Sequence, residues 1–516
     1  MGRKRAVISV YDKTGIVDFA RELSEKFDYE IISTGGTYEL LKANDIKAVE
    51  ISQLTGYPEL LDGKVKSLHP AVFAGILASR IQNELDEIEK HNILPVDIVV
   101  VNLYPFEAAS KDFYIEPSNL IKYIDIGGVS LLRAASKNYY YVASVHSPDM
   151  YEKVLADLKQ NIGSTSYELR KELAIKSFQY TSTYDSIIAE QLYLRLEEIE
   201  TNKTPEIFNL NLTKIQDLRY GENPQQKAGL YKTGDNVEFE LLNGKELSYN
   251  NLVDITAALN IVSEFIDIPA ACIIKHNNPC GAALGENITD AYIKAFNCDP
   301  ISAFGGIIGL NEPVTKEIAN HIKDIFFEVV VAPDFNEDAL EILKTKKNLR
   351  LVKMSKNMLE YKYSQKFDIK DLPFGILIQT LDHSELGKDN FKAVTTRKPT
   401  EQQVEDMLFA WKIAKHTSSN AIVIAKDKKI VGIGMGQTSR IKSMEIALAQ
   451  ACDEANEAVI ASDGFFPAID NIHAAAQARI SAIIQPGGSI KDSEVIAEAE
   501  KYNISMVLTS VRHFKH

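Results

Sequence analysis

The chain reads as an α/β protein of two units, and three observations carry that reading. Over the first 150 or so residues, short apolar runs alternate with stretches whose apolar residues fall three and four apart, as strands feeding helices do. A polar stretch from Glu197 to Pro205, containing Thr-Asn-Lys-Thr-Pro, interrupts this and reads as a linker. Beyond it the alternation resumes for more than 300 residues, too many for one simple layer, so two further α/β subdomains are expected. The expected domains are residues 1–199 and 200–516, with the division inside the second left open.

In order, Ala6–Val10 is a strand and Ile16–Phe27 has helical spacing. Glu30–Ser33 is a strand broken by Thr34-Gly35-Gly36-Thr37, with a helix from Tyr38 and a strand near Ala48–Ile51. Asp97–Leu103 is apolar enough to be buried on both faces, and ends at Asn102-Leu103-Tyr104-Pro105. A helix over Gly127–Asn138, a strand over Tyr140–Val145 and charged helices from Met150 to about Glu200 follow. This alternation predicts a parallel, doubly wound sheet. In the second unit the expected strands are Ala271–Ile274, Gly306–Leu310, Phe327–Ala332, Ala421–Ala425, Ile430–Ile433, Ala482–Ile484 and Ser505–Leu508.

Composition narrows the function. With 516 residues, 45% hydrophobic and 25% charged, the profile is that of a soluble globular protein. A net charge of −14 opposes a broad nucleic-acid or anionic-membrane surface, so an anionic substrate must be held by local basic clusters. No apolar run reaches membrane-spanning length, and the few apolar residues after the basic start Met1–Arg5 are too short for a signal peptide. Four cysteines (Cys272, Cys280, Cys298, Cys452), none spaced as Cys-x-x-Cys, form no disulfide framework, and a reducing cytoplasm is the economical inference. A zinc deaminase needs His/Cys-x-Glu upstream of Pro-Cys-x-x-Cys. Here Ala283 stands where the second cysteine should be, and His383-Ser384-Glu385 lies downstream, so no catalytic metal is expected.

The densest chemistry lies at Ile273-Ile274-Lys275-His276-Asn277-Asn278-Pro279-Cys280-Gly281. An apolar strand runs into a lysine, a histidine, two amides and a Pro-Cys-Gly turn. Neighbouring side chains on a regular strand point to opposite faces, so Lys275 and His276 can act together only where the strand breaks. A cation beside an imidazole supplies a charge stabiliser and a proton acceptor; the plainer alternative is a solvated strand end.

In the first unit, Ser33-Thr34-Gly35-Gly36-Thr37 at a helix start is either a phosphate cradle or an ordinary turn, with Lys13 able to add a cation. No Gly-x-Gly-x-x-Gly pattern is present there, so a dinucleotide is not implied. Lys64-Val65-Lys66-Ser67-Leu68-His69-Pro70 is a cationic loop, Tyr104 ends a buried strand where open sheets bind ligands, and Asp125-Ile126-Gly127-Gly128 sets a carboxylate before a helix running through Arg133 to Lys137. Together these suit proton transfer on a phosphorylated small molecule without a metal.

In the second unit, Arg219-Tyr220-Gly221-Glu222-Asn223-Pro224, Ser302-Ala303-Phe304-Gly305-Gly306 and Ser462-Asp463-Gly464-Phe465-Phe466-Pro467 read as ligand loops. Gly432–Gly436 is spaced Gly-x-Gly-x-Gly and fits a hairpin better than a nucleotide loop. The basic end, Val511-Arg512-His513-Phe514-Lys515-His516, comes directly after a core strand and can dock.

From Val10 to His516, in this order, these motifs resemble the bifunctional purine-biosynthesis family that joins AICAR (aminoimidazole carboxamide ribotide) formyltransferase to IMP cyclohydrolase. The resemblance implies an amino-terminal methylglyoxal-synthase-like domain and two cytidine-deaminase-like subdomains without zinc. It also implies an intertwined homodimer using 10-formyltetrahydrofolate as co-substrate, and it suggests potassium near the carboxyl terminus. Matched to the family pattern, Lys275 and His276 are the catalytic pair and Asn420 orients them; Arg219, Tyr220, Gly305, Arg440, Phe465, Arg512 and Phe514 hold the ribotide, with Glu328 where some relatives carry aspartate. Lys66, Tyr104, Asp125 and Lys137 match the cyclohydrolase set, and Lys13, Ser33, Gly35, Gly36, Thr37 and Ser67 the phosphate grip. Lys64 stands where relatives usually have arginine, which keeps the charge and loses a bidentate fork, and Ser67 replaces a usual threonine. A ligand sensor that kept both folds without turnover is the alternative, and the intact catalytic sets oppose it.

Overall fold

The computed structural model describes residues 4–58, 60–61, 63–196, 204, 206–232, 239–355, 367–387 and 391–516. Apart from Thr204, the expected linker at Glu197–Pro205 therefore lies outside the described residues or at their edge. The chain forms two compact units, Met1–Asn211 and Leu212–His516.

The first unit is built on β1 (Arg5–Val10), β2 (Glu30–Ser33), β3 (Ala48–Glu50), β4 (Ile98–Asn102) and β5 (Ala143–Val145), in spatial order β3-β2-β1-β4-β5. Every pairing is parallel. Alternate side chains feed two cores: Ile8, Ile31, Ile98 and Val100 on one face, Val7, Ile32, Val99 and Val101 on the other. This double coverage is why β4 is apolar almost throughout. The strand order reverses between β1 and β4, which opens a crevice at their carboxyl ends.

Two expectations are corrected here. The helix after β2 begins at Gly35 and not at Tyr38, because Thr34 already turns the chain and its carbonyl accepts from Thr37 N and Tyr38 N. The last strand is confined to Ala143–Val145, since the N–H groups of Tyr141 and Val142 turn back to the Asn138 carbonyl.

The second unit adds β6 (Thr213–Leu218) and β7 (Ala228–Lys232), which form a separate hairpin. Its main strands begin with β8 (Phe239–Asn243), β9 (Ala270–Lys275), β10 (Asn278–Leu284), β11 (Ile307–Leu310), β12 (Val329–Ala332) and β13 (Arg350–Met354). A second isolated hairpin, β14 (Phe367–Leu372) and β15 (Gly375–Thr380), precedes β16 (Lys392–Ala393), β17 (Ile422–Lys426), β18 (Lys429–Gly434), β19 (Val459–Ser462), β20 (Ala482–Gln485) and β21 (Ser505–Leu508). Twelve of these make one mixed sheet, β16-β21-β20-β19-β17-β18-β10-β9-β11-β12-β13-β8.

That order contains a duplication. Each half has three parallel strands (β11, β12, β13 and β19, β20, β21), an antiparallel edge strand, and an antiparallel hairpin (β9–β10 and β17–β18). The halves meet where β10 pairs with β18. A helix precedes each hairpin, Tyr249–Val262 and Glu401–Lys415, and each opens on a reciprocal capping box, Ser248 with Asn251 and Thr400 with Gln403. Both helices share one core across the sheet, while the opposite face carries a separate core for each half.

A third correction concerns the expected Pro-Cys-Gly turn. The reversal is made by His276 and Asn277, at φ 53° and 64°, and Pro279, Cys280 and Gly281 belong to β10. Two consecutive residues with positive φ make the tight hairpin turn whose twist suits antiparallel strands. Pro279 is tolerated because the register shifts between Pro279 and Gly281. The Gly432–Gly434 segment likewise lies in a hairpin strand, whose turn is Asp427–Lys428.

Candidate active sites

In the first unit, four separated segments converge on the crevice between β1 and β4. After β1, Asn102 Oδ1 accepts from Tyr11 N at 2.6 Å and Asp12 N at 2.8 Å, and its amide donates to Asp12 O at 3.0 Å. This fixes the turn that presents Lys13, whose Nζ donates to Thr37 Oγ1 at 2.9 Å. Burial, and then the charge of Lys66, lowers the Lys13 pKa. The Lys66 ammonium lies directly over Gly35, where a Cβ would collide with it, and a Cβ on Gly127 would stand 2.7 Å from Ser67 Oγ. The loop carrying Lys66 and Ser67 thus bridges the helix starts at Gly35 and Gly127. Ser33 itself is turned inward, donating to Ile8 O at 2.9 Å.

Asp125 sits just before that second helix start and accepts from Gly128 N at 2.6 Å. The carboxyl pKa is raised by burial, against the lowering effect of the Gly128 and Tyr104 N–H groups. Tyr104 is raised too, by burial and then by the Asp125 charge. Tyr104 is 46% exposed, and its ring meets Tyr11 edge-on at 5.7 Å. Two ammonium groups, a phenol and a carboxylate are therefore brought to this crevice. Lys64 is exposed, and Lys137 ends the helix Gly127–Lys137, about 15 Å of axial rise from Gly127. His69 is a helix cap, its Nδ1 accepting from Ala71 N at 3.1 Å.

In the second unit, the Lys275–His276 turn is held by a residue that the sequence did not single out. Asp254, on the helix Tyr249–Val262, accepts from Asn277 N at 2.6 Å. Lys275 Nζ reaches Phe304 O at 2.8 Å, over the turn whose Gly305 has φ 74° and donates to Phe326 O at 2.8 Å. His276 is exposed. Glu328 accepts from Asn251 Nδ2 at 2.8 Å, with Arg350 at 3.9 Å.

A second network joins this turn through Asn278, whose Oδ1 accepts from Ser418 N at 2.9 Å. Two residues on, Asn420 donates to Gln437 O at 2.8 Å and accepts at Oδ1 from Arg440 Nη2 at 2.7 Å. Arg440 is buried and ion-paired with Asp463, and also donates to Ser462 Oγ at 2.9 Å. A Cβ on Gly464 would stand 2.5 Å from Arg440 Nη2 and 2.7 Å from the Phe514 ring, so only glycine lets the tail close over the guanidinium. The tail is docked. His513 N donates to Asp463 O at 3.0 Å, Lys515 N to Ser419 Oγ at 3.1 Å, and Lys515 Nζ to His416 O at 2.9 Å. His513 is buried against Trp411, and its Nδ1 lies 2.5 Å from Asp382 Oδ2. Burial opposes ionisation of Asp382, yet the His513 bond and charge hold its pKa low. Arg512 stays exposed with its guanidinium 4.4 Å from the Phe514 ring, and Phe465 is 39% exposed.

Arg219 stacks on Tyr220 at 5.6 Å, and its loop is tied to the start of the helix Tyr249–Val262 by Asn250 Nδ2 donating to Glu222 O at 3.2 Å. Among the described residues no hydrogen bond joins Arg219 or Tyr220 to the Asn420 network. Cys280 is buried, and burial pushes its thiol up to about 12, so it is no nucleophile. Among the described residues no three His, Cys, Asp or Glu side chains gather as a metal site.

The anchoring residues were hard to foresee. Asp254 lies mid-helix among amides, and Asn102 closes an apolar strand; only the second carries a signal, a polar residue where the run calls for another valine.

Two family profiles match the chain. Residues 135–450 match the profile of the AICARFT/IMPCHase bienzyme, and residues 15–130 that of the MGS-like domain. The bifunctional purine biosynthesis protein PurH of Caldicellulosiruptor saccharolyticus is 47% identical over 522 residues, covering 99% of this chain and 100% of its own. PurH of Thermoanaerobacter sp. is 47% identical over 518 residues with the same coverage, and that of Nostoc punctiforme 44% over 516, covering 99% of each. The chain belongs to the AICARFT/IMPCHase bienzyme family and catalyses AICAR formyl transfer and IMP cyclohydrolysis.

Proposed function

We propose that the two activities are carried by separate units, the cyclohydrolase by Met1–Asn211 and formyl transfer by Leu212–His516. The observation behind this is that the family-pattern residues of the cyclohydrolase all lie within Met1–Asn211 and those of formyl transfer all within Leu212–His516.

In formyl transfer, the 5-amino group of AICAR is a poor nucleophile because its lone pair is delocalised into the ring and carboxamide. His276, exposed at the tip of a rigid turn, takes the amino proton as nitrogen attacks the formyl carbon of 10-formyltetrahydrofolate. Lys275 stabilises the oxyanion. The bond from the formyl carbon to the folate nitrogen then breaks, and the proton ends on that nitrogen. Asn420, held between Gln437 and Arg440, orients these groups. Arg440 is committed to Asp463 and Asn420, so Arg512 and Arg219 are the exposed guanidinium groups for the ribotide phosphate. Tyr220, Gly305, Glu328, Phe465 and Phe514 complete the ribotide pocket. A potassium ion near the carboxyl terminus would find oxygen donors in Asp463, Ser419 and Ser462, and would only organise the tail there.

In cyclisation, the carboxamide nitrogen attacks the new formyl carbon, closes the ring and loses water. Lys13, Lys66, Ser67 and Thr37 grip the phosphate with the N–H groups at Gly35 and Gly36, while Ser33 supports that turn and Lys64 adds charge at the rim. Tyr104 and Asp125 move the protons, and the raised Asp125 pKa suits a carboxyl that both accepts and returns one. Lys137 is retained on the family pattern alone. The enzyme acts as a cytoplasmic homodimer whose formyltransferase sites draw on both chains.

Incubating purified protein with AICAR and 10-formyltetrahydrofolate, and separately with formyl-AICAR, tests the division. Asp125→Asn is expected to stop IMP formation from formyl-AICAR while formyl transfer continues. Loss of both steps in folded Asp125→Asn protein would contradict it.

A further inference from the structure

Tyr104 and Asp125 sit on separate loops, yet both loops are tied to one helix, Tyr167–Leu196. Tyr180 and Tyr184 are one turn apart on it and project from the same side. The Tyr180 hydroxyl accepts from Leu103 N at 3.2 Å, the residue immediately before Tyr104. The Tyr184 hydroxyl accepts from Asp125 N at 2.9 Å and donates to Tyr123 O at 2.8 Å. Its ring also packs edge-on against Phe106, at 6.4 Å, just beyond Tyr104. The Tyr180 ring in turn stacks on His146 at 4.9 Å, so neither phenol is free to swing.

This helix lies outside the residues matched by the MGS-like profile and inside those matched by the bienzyme profile. Its two phenols grip the two segments that carry the reacting groups.

We propose that Tyr180 and Tyr184 are positioning residues of the cyclohydrolase, acting as a two-pronged clamp that sets the spacing between the Tyr104 phenol and the Asp125 carboxylate. The proposal rests on the assignment of Tyr104 and Asp125 as the groups that move protons in cyclisation. Neither clamp residue need touch substrate. Each fixes a backbone N–H whose neighbouring side chain does, and small misplacement of a reacting group is costly. Burial favours the neutral phenol at both positions, which keeps the hydroxyl hydrogen that Tyr184 donates.

The test uses full-length protein carrying Tyr184→Phe, Tyr180→Phe or both, supplied with formyl-AICAR across a range of pH. Phenylalanine keeps the ring packing and removes only the hydroxyl. The expected result is a kcat for cyclisation reduced about 10-fold to 100-fold in Tyr184→Phe, and less in Tyr180→Phe. KM should stay within about threefold, the acidic limb of the pH profile should move, and formyl transfer should be unchanged. An unaltered kcat and pH profile in the folded double variant would overturn the clamp. So would a rate loss that merely tracks a loss of thermal stability, with the pH profile intact. If Tyr184→Phe does not fold, Tyr180→Phe alone carries the same readouts. Tyr104→Phe and Asp125→Asn, run beside these, separate the two levels: if they cyclise normally, the underlying site assignment has failed and not the clamp.

Discussion

The two hairpins within the large sheet of the second unit, with turns at Lys275–Asn278 and Lys426–Lys429, are the same device put to different uses. In each, two residues of positive φ turn the chain, His276 with Asn277 and Asp427 with Lys428. Each turn is anchored by an aspartate six residues after the helix cap: Asp254 after Ser248, and Asp406 after Thr400. Asp406 accepts from Lys428 N at 2.7 Å and Asp427 N at 3.1 Å, as Asp254 accepts from Asn277 N. Burial raises both carboxyl pKa values. A glycine lies in each second strand, Gly281 and Gly432, where a Cβ would collide with the carbonyl of Ala295 or Ala447 in the helix behind. The difference lies in the lysines and their next neighbours. Lys275 reaches the Phe304–Gly305 turn and is succeeded by an imidazole, whereas Lys426 is spent on Asn456 O at 2.8 Å and succeeded by a carboxylate. The scaffold occurs twice, and only one copy carries the imidazole that we propose as the base. The other half contributes Asn420, Arg440 and the tail.

The comparison breaks first at the turn residues. His276→Ala should slow formyl transfer by about 10² to 10⁴, the usual worth of a general base, while Asp427→Ala should leave it within about threefold. Equal losses, measured as initial rates with AICAR and 10-formyltetrahydrofolate, would erase the distinction between the hairpins.

The tail comes next. Arg512→Ala should weaken AICAR binding about 10-fold to 100-fold with native stability, since the guanidinium is exposed and stacks on the nearby Phe514 ring. Deleting Arg512–His516 should do more: it removes buried His513 and the Lys515 contacts as well, so thermal unfolding should shift clearly downward. Calorimetry alongside titration with AICAR separates the two effects.

The anchors sharpen the comparison further. Asp254→Ala and Asp406→Ala each orphan turn N–H groups and should each cost about 1–3 kcal/mol of stability. Only Asp254→Ala should also slow formyl transfer, by about 10-fold, because only its turn carries the imidazole. Similar denaturation midpoints with dissimilar rates are the expected signature.

The first unit supplies a contrast in pH response. Burial holds the His146 pKa down to about 4, below its ordinary 6.5. The unfolded chain therefore binds a proton there that the folded unit refuses, and stability contributed by neutral His146 is full above about 6.5 and lost as pH falls toward 4. The loss is about 3 kcal/mol at most. His146→Gln should flatten this slope for unfolding of the first unit; an unchanged slope would show that other groups set it.

Much of this was legible in the chain. Alternation exposed the parallel sheet, since β4 is nearly pure Ile and Val, and the chemistry-bearing residues sit at strand ends where the fold delivers them. What stayed hidden was relational. Strand β10 is rich in small residues and β19 has only four residues, so their propensity is weak and the sheet decides them. Pro279 suggested a turn because a local rule was applied where a bulge had absorbed the missing N–H. The duplication, implied by the family resemblance, is invisible in the residues themselves because it is shared in caps, turn geometry and close approaches, and its residues differ: Ser248 against Thr400, His276 against Asp427. Asp254, Tyr180 and Tyr184 act through backbone N–H groups far away in sequence, which no spacing reveals.

The division of labour is tested most directly by one rate: IMP formation from formyl-AICAR by a purified fragment ending at Asn211, compared with the whole chain. The account predicts cyclisation within a few-fold of the intact enzyme, with no folate present. A fragment that folds, binds formyl-AICAR and yet forms no IMP would contradict it.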